Sequence, residues 1–197
     1  MAPVVIRPPT FSSGTSHADF KSPTIAFLTG VWHVTHSTLP MWKTKRNVRI
    51  QYTPLQPSTS ALSKENTDRI DDRVTYQALG STKLQTISGV DTLAEESGEG
   101  RSEWNWRGNG LLRIASSHWE ILGWGDEEGT GNKWVVTCFA QTLFTPAGLD
   151  VYSQSPKGIQ KETLQSIKAA LAATGDDSIS TMASTLFEVQ IDDDRND

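Results

Sequence analysis

Residues 26–37 read AFLTGVWHVTHS, and the fold prediction starts from this stretch. In its second half, successive side chains alternate in the way that places them on opposite faces of a β-strand. Gly30, Trp32, Val34 and His36 then share one face. The stretch therefore predicts a first strand with one apolar side, and each later segment is interpreted as a further strand or a connection.

Length and composition predict one globular domain. The chain has 197 residues, of which 36% are hydrophobic, and this is enough to bury a core. Acidic residues outnumber basic ones by 23 to 18, for a formal net charge of -5. Because a nucleic-acid site needs a basic face, we expect no nucleic-acid partner. No histidines and cysteines have the spacing of metal ligands, so we expect neither a metal site nor a cofactor.

The sequence predicts a protein of the cytoplasm. Cys138 is the single cysteine, so no internal disulfide can form, which is typical of a reducing compartment. Residues 1–23 are rich in proline, serine and threonine, and we expect a flexible arm rather than a secretory signal. No apolar stretch approaches the roughly 20 residues of a membrane span, so we expect no membrane partner.

Eight alternating segments joined by polar, glycine-bearing connections are predicted as strands. They cover residues 29–38, 45–53, 69–78, 83–90, 101–107, 111–124, 133–144 and 149–154. Between two of them, Asn109-Gly110 predicts a tight hairpin, because both residues tolerate positive φ. No helix separates these strands, so the sheet is expected to be antiparallel, and the short connections favour an up-and-down barrel over a sandwich.

The facing of the sixth strand stays open at this point. Trp119 and Ile121 point into the barrel only if one residue near Ser116 is bulged out of the strand. Without a bulge, His118 and Glu120 point inward instead.

The hydrophobic period changes in the last quarter of the chain. Apolar residues recur at helical spacing over residues 159–173, which predicts one C-terminal helix. Residues 185–191 alternate again and predict a short closing strand. We therefore expect a single barrel domain over residues 24–191 and a solvated acidic tail over residues 192–197.

This order of elements resembles the lipocalins of the calycin superfamily. In that family a Gly-x-Trp motif opens the first of eight antiparallel strands, and a helix and a short ninth strand follow. Gly30-Val31-Trp32 occupies the matching position, and the resemblance covers residues 26–191. The loop over residues 125–128 reads GDEE rather than the family's Thr-Asp-Tyr, and Lys157 replaces an arginine, so the chain resembles a divergent member. The segments SSHWEILGWG and TLFTPAGLDVYSQSP also resemble a group of small fungal proteins.

The resemblance implies which end of the barrel is open. Gly30 and Trp32 would form the floor of the barrel together with the loops at residues 54–68 and 125–132. The loops that would ring the mouth are residues 39–44, 79–82, 108–110 and 145–148.

The leading functional hypothesis is that the barrel binds a small, largely apolar or aromatic ligand. Seven tryptophans are many for this length, and aromatic walls bury a large apolar area. Met41 and Trp42 form an apolar pair at the predicted mouth, where they would cover the entrance. The predicted lining residues are His36, Met41, Trp42, Ile50, Tyr76, Trp104, Trp106, His118, Cys138 and Ala140, with His118 included only if the sixth strand has no bulge.

The second hypothesis is a cofactor-free isomerase or cyclase of secondary metabolism on the same scaffold. His36 would lie on the inward face near the mouth, where an imidazole can act as general acid or base. Asp72 shares the apolar face of its strand, where burial would raise its pKa, and Asp72 or Tyr76 would complete an acid–base pair. Each residue also has a purely structural interpretation: His36 bonded to a neighbouring hydroxyl, and Asp72 paired at the closed end.

A third hypothesis is a filled barrel that serves as a protein-interaction module. An eight-stranded barrel is close to the size at which side chains either fill the interior or leave room for one small ligand. The sequence leaves the oligomeric state open, and a homo-oligomer is possible.

Overall fold

The structure, a computed structural model, describes residues 3–13, 20–56, 68–94, 102–143, 145–192 and 195. The strands in this part of the chain are β1 (Gly30–Ser37), β2 (Lys45–Pro54), β3 (Arg69–Ala78), β4 (Leu84–Leu93), β5 (Glu103–Gly108), β6 (Ser116–Asp126), β7 (Lys133–Phe139), β8 (Gly148–Ser153) and β9 (Phe187–Glu188). The α-helices are α1 (Thr10–Ser13), α2 (Ile25–Leu28), α3 (Lys161–Ala172) and α4 (Asp177–Ser184), and short 3₁₀ helices cover Pro40–Thr44 and Gly110–Leu112.

The sheet closes on itself. Each of the strands β1 to β7 pairs antiparallel with the next, and β8 pairs with β1 to close the barrel, while β9 adds to one end of β1. Closure leaves the barrel without an unpaired edge. The predicted fold, an all-β, eight-stranded antiparallel up-and-down barrel with a C-terminal helix, is confirmed.

Two apolar clusters lie on the two sides of the sheet. The inner cluster fills much of the barrel and includes Trp32, Val34 and Trp119. The outer cluster lies between the barrel wall and the helices α3 and α4, where Ile167 and Leu171 have no exposed surface. Residues of β7 contribute to both clusters because successive side chains point to opposite faces of a strand.

The C-terminal region differs in detail from the prediction. The predicted helix over residues 159–173 corresponds to α3, and a second helix, α4, follows it. Asp176 caps α4, since its carboxylate accepts hydrogen bonds from the backbone N–H groups of Ser178 and Ile179. Because this helix occupies residues 177–184, the closing strand shortens to β9.

The predicted Asn-Gly turn between β5 and β6 is replaced by a longer connection over residues 109–115. Gly110 has φ +59°, whereas Asn109 has φ -95°, so a two-residue turn with two positive φ angles does not form. Leu111 and Ile114, which the prediction placed in the sixth strand, are 100% and 89% exposed.

Described residues near each end of the chain contact the outer surface of the barrel. The Arg7 guanidinium pairs with Glu120 at 2.6 Å, and the Arg7 backbone N–H donates to the carbonyl of Leu122. Near the other end, Asp192 pairs with Arg46. The remaining parts of the predicted arm and acidic tail, residues 1–2, 14–19, 193–194 and 196–197, lie outside the described residues. Among the described helices, none combines the length and the apolar character needed to cross a membrane.

Candidate functional site

A cavity of about 230 Å³ lies inside the barrel, at the end that the Pro40–Thr44 helix crosses. Its wall is mostly apolar and aromatic, with two carboxyl groups. The lining residues are Leu39, Met41, Trp42, Ile50, Tyr52, Asp72, Val74, Ile87, Trp106, Ala115, Ser116, Ser117, Trp119, Phe139, Thr142, Thr145, Asp150 and Tyr152.

The loop between β1 and β2 forms the cover of this cavity. Met41 lines the cavity and is 38% exposed, so it lies between the interior and solvent. Trp42 is buried, and its indole N–H donates to Oδ2 of Asp150 at 3.2 Å. The Trp42 ring also packs edge-on against Tyr76, with ring centroids 5.8 Å apart. These contacts fix Trp42 as a wall and leave Met41 at the entrance.

Trp119 is the centre of the aromatic wall. Its ring stacks on Tyr52 on one side and on Trp104 on the other, with centroid distances of 6.1 and 6.0 Å. Phe139 approaches it from β7 at 6.3 Å. The stacking fixes a flat apolar surface deep in the barrel.

Three buried aspartates face into the barrel, and each is next to an indole N–H. Trp42 donates to Asp150, and Trp119 donates to Oδ1 of Asp91 at 2.7 Å. The indole of Trp106 acts as hydrogen-bond donor to Asp72. Asp150 also accepts a hydrogen bond of 2.5 Å from the Ser37 hydroxyl.

Burial makes these carboxyl groups weak acids. It raises the pKa of Asp91 and that of Asp150 to about 7, although their indole hydrogen bonds act in the opposite direction. Burial also raises the pKa of Asp72 well above its ordinary value, and the charge of nearby Asp91 raises it further. Near neutral pH the interior therefore holds carboxyl groups that can either donate or accept a proton.

Gly89 makes the contact between Trp106 and Asp72 possible. Gly89 pairs with Asp72 across β3 and β4, while Trp106 comes from the next strand, β5. A Cβ atom at Gly89 would lie 2.3 Å from the Trp106 ring, so the ring occupies the space that a larger residue would fill. The indole can therefore cross β4 and reach Asp72.

Of the predicted lining residues, the structure brings Met41, Trp42, Ile50 and Trp106 to the cavity wall. Asp72, predicted as a catalytic candidate, joins them there. Tyr76 and Trp104 lie inside the barrel without lining the cavity: Tyr76 packs behind Trp42, and Trp104 packs behind Trp119.

His36, predicted to point inward, faces the outside of the barrel. The pairing of β1 with β8 shifts between Val34 and His36, which is a β-bulge at Thr35. The bulge reverses the alternation, so that Ser37 rather than His36 points inward and bonds to Asp150. The pKa of His36 is lowered by burial and by the charge of Lys168 on α3, which is consistent with a place beside that helix.

Cys138 and Ala140, which were predicted to line the cavity, lie outside it for a related reason. Cys138 belongs to the outer cluster beneath α3, because its neighbours Thr137 and Phe139 occupy the inward face of β7. Burial raises the pKa of its thiol above the range in which it would react. Ala140 follows the end of β7 and lines a groove on the outer surface.

The open question about β6 is decided in favour of Trp119 and Ile121, which point inward. His118 points outward, lines the same outer groove as Ala140 and contacts Asn105 and Phe11. The register of β6 shifts between Ile121 and Gly123, not near Ser116, where one of the two alternatives left open by the sequence would have put a bulge.

Trp32 lies at the opposite end of the barrel from the cavity cover. It has no exposed surface, and its indole N–H donates to the Leu28 carbonyl at 2.7 Å, while Phe27 packs against its ring. Both contacts come from α2, a helix that the prediction did not include. Gly30 starts β1 with φ +119°, a conformation that strongly favours glycine.

Several wall residues were absent from the prediction. Tyr52 shares the inward face of β2 with the predicted Ile50, and Asp150 and Tyr152 alternate on β8, so strand alternation could have found Tyr52, Asp150 and Tyr152. The prediction ends the fourth strand at residue 90 and leaves Asp91 in the following loop, because acidic and glycine residues come after it. Among the described residues, no group of three or more histidine, cysteine, aspartate or glutamate side chains could hold a metal ion.

Comparisons with known proteins agree with this architecture. No family model matches the chain. Botcinic acid biosynthesis cluster B protein 12 of Botryotinia fuckeliana is 25% identical over 195 residues, covering 94% of this chain and 83% of that protein. Lobster apocrustacyanin A1 superposes with a TM-score of 0.53 at 11% identity, covering 98% of this chain and 93% of the other.

A second solved structure is the tryptamine complex of the amine-binding protein of Rhodnius prolixus. It superposes with a TM-score of 0.54 at 14% identity and covers 90% of each chain. At these identities the likeness concerns the fold. With a closed eight-stranded barrel, a tryptophan at its base that bonds to α2, and these structural neighbours, the chain has a lipocalin-like barrel fold.

Proposed function

We propose that this protein binds a small, largely aromatic molecule in the cavity beneath Met41 and Trp42. The observation that carries the proposal is the cavity of about 230 Å³, walled mainly by aromatic and aliphatic side chains. Ligand sites are typically concave and mostly apolar, with a few polar groups that fix orientation. A filled barrel acting through its outer surface is less well supported, because this one keeps an internal space.

The comparisons support the same proposal. A structural neighbour of the same fold is described in complex with tryptamine, a small aromatic compound. The relative from the botcinic acid biosynthesis cluster supports a ligand from secondary metabolism. A cytoplasmic site of action is part of this proposal and rests on the single buried, free thiol of Cys138.

Quenching of tryptophan fluorescence by a panel of small aromatic compounds tests the proposal. Trp42, Trp106 and Trp119 line the cavity, so a bound ligand is expected to change the emission. Val74→Phe places a larger side chain in the cavity and should reduce the affinity by about tenfold or more. Arg73→Phe, on the opposite face of β3, should leave binding unchanged. Equal binding by wild type and Val74→Phe would place the ligand elsewhere.

The second candidate function is a cofactor-free isomerase or cyclase acting by acid–base catalysis. Asp72 and Asp150, both in the cavity wall with raised pKa values, favour it. His36 and Tyr76 do not line the cavity, so the acid–base role passes from them to these aspartates. If the protein catalyses such a reaction, the rate should change with pH around 7. The activity should be lost in an Asp72→Asn variant that still folds.

A further inference from the structure

Acidic groups in the cavity wall have no cationic partner. Asp72 and Asp150 line the cavity, and Asp91 lies diagonally from Asp72 on the neighbouring strand. Among the described residues, no lysine, arginine or histidine lines this cavity. Oδ1 of Asp72 and Oδ2 of Asp91 are buried without a hydrogen-bond partner. Because buried polar atoms are nearly always paired, these oxygens indicate a ligand that supplies hydrogen-bond donors.

The Tyr152 hydroxyl is an independent observation of the same kind. Tyr152 is 1% exposed and lines the cavity, and its hydroxyl has no hydrogen-bond partner of good geometry. Its pKa is raised by burial and by the nearby charges of Asp150 and Asp72, while the neighbouring Thr137 hydroxyl acts in the opposite direction. A ligand head group near this hydroxyl therefore meets a further oxygen that lacks a well-formed hydrogen bond.

The surrounding aromatic rings suit the apolar body of a ligand. Trp106 and Trp119 line the cavity beside the carboxyl groups, and aromatic side chains bury a large apolar area. Their N–H groups are directed to Asp72 and Asp91, which orients these carboxyl groups. Asp72 lines the cavity and keeps Oδ1 without a partner, and the neighbouring Asp91 carboxyl group also has one unpaired oxygen.

We propose that the ligand is a small aromatic or apolar amine, bound as its ammonium cation by Asp72, with the charge of neighbouring Asp91 favouring the cation and with its apolar body against Trp106 and Trp119. This inference rests on the proposed binding function and names the class of ligand. An ammonium group donates up to three hydrogen bonds and replaces the missing positive charge.

Binding is then coupled to the release of protons. In the absence of ligand, burial and mutual repulsion favour the protonated forms of Asp72 and Asp91. A cation beside them favours the ionised forms instead. The other titratable groups that act on this pair, or on which it acts, are Asp71, Tyr52 and Tyr152, and none is cationic. The affinity for an amine should therefore rise as the pH increases from about 6 to 8.

Isothermal titration calorimetry with phenethylamine and phenethyl alcohol tests the inference, because the two probes have similar size and differ in the head group. The amine should bind about tenfold or more tightly than the alcohol at neutral pH. Titrations in buffers of different ionisation heat should show proton release with the amine only.

Variants of the two aspartates test whether these residues account for the preference for the amine. Asp72→Asn and Asp91→Asn should each weaken the amine by about tenfold or more and change the alcohol by less than about threefold. Asp126→Asn is the matched control and should leave both affinities unchanged, because Asp126 is exposed at the end of β6 and does not line the cavity.

The results distinguish a failure of the amine assignment from a failure of cavity binding. If the alcohol binds as tightly as the amine, the amine assignment is overturned and cavity binding stands. The amine assignment is likewise overturned if the two variants keep wild-type affinity for the amine. If neither probe binds and no aromatic compound quenches the fluorescence, cavity binding fails as well. The comparison of amine and alcohol on wild-type protein stays decisive even if a variant does not fold.

Discussion

Asp91 shows how a single residue can work against stability in the interior of a barrel. It has no exposed surface, and its carboxyl group receives one hydrogen bond, from Trp119, while its second oxygen has no partner. Ionising such a group without a cation costs free energy, and the raised pKa records that cost. Residues with unsatisfied buried groups are commonly found where a ligand binds.

The pH dependence of stability should therefore change in Asp91→Asn. The folded protein holds the Asp91 proton with a pKa of about 7, against an ordinary value of 3.8. Stability from this group is complete below about pH 4 and is lost as the pH rises through 7, because only the folded state favours the protonated form. The free energy of unfolding of the variant, relative to wild type, should rise by about 2–3 kcal/mol between pH 5 and pH 8. Urea unfolding at both pH values measures this, and a difference that does not change with pH would contradict it.

At the scale of the elements, irregular residues decide which side chains reach the interior. The bulge at Thr35 turns His36 outward and Ser37 inward, and the bulge between Ile121 and Gly123 changes the facing of β6. Gly89, on β4, acts in another way: because it has no side chain, the Trp106 ring can extend from β5 across β4. The sequence of each strand is compatible with an unbulged alternative, so these local details come from the pairing of neighbouring strands.

The N-terminal segment is held to β6 by a buried ion pair. Arg7 is 5% exposed and Glu120 has no exposed surface. Burial alone would raise the pKa of Glu120, but hydrogen bonds from His118 and Thr10 and the charge of Arg7 hold it at about 2. The pair therefore stabilises the fold above about pH 4.5 and loses this contribution as the pH falls towards 2.

Replacing Glu120 with alanine should release this segment. Arg7 would remain buried without its carboxylate, and breaking a buried pair from one side typically costs about 3–5 kcal/mol. Hydrogen exchange of the Arg7 amide, which is bonded to the Leu122 carbonyl, should speed up in Glu120→Ala. Glu103→Ala is the control, because Glu103 also bonds to Thr10 but does not pair with Arg7. Unchanged exchange at Arg7 in Glu120→Ala would show that other contacts hold the segment.

At the scale of the whole molecule, the barrel wall separates two cores with different roles. The inner cluster surrounds the cavity, and the outer cluster joins the wall to α3 and α4. Residues of the outer cluster, such as Ile167 and Cys138, do not line the cavity. Stability and binding should therefore be separable by mutation.

Ile167→Ala tests this separation. Ile167 has no exposed surface, and truncating a buried isoleucine to alanine typically costs about 2–5 kcal/mol. The free energy of unfolding should fall by this amount, while the affinity for a cavity ligand should change by less than about twofold in the folded variant. Denaturant unfolding and fluorescence titration measure the two quantities, and a large loss of affinity would show that the outer core shapes the cavity.

The amino-acid sequence by itself determined the class of fold. Alternation over eight segments, glycine-bearing connections and the Gly30-Val31-Trp32 motif sufficed for an antiparallel barrel, because the side-chain period of a strand is local. The same alternation found Asp72, Ile50 and Trp106 on the inner wall.

Only the tertiary structure decided which titratable groups share the interior. A single bulge reverses the facing of every residue beyond it, and it moved His36 out of the barrel while Ser37 turned in towards Asp150. The grouping of Asp72 and Asp91 depends on the register between β3 and β4, which residues far apart in the sequence set together. Register and bulges arise from packing between strands, and that information is not contained in the period of any one strand.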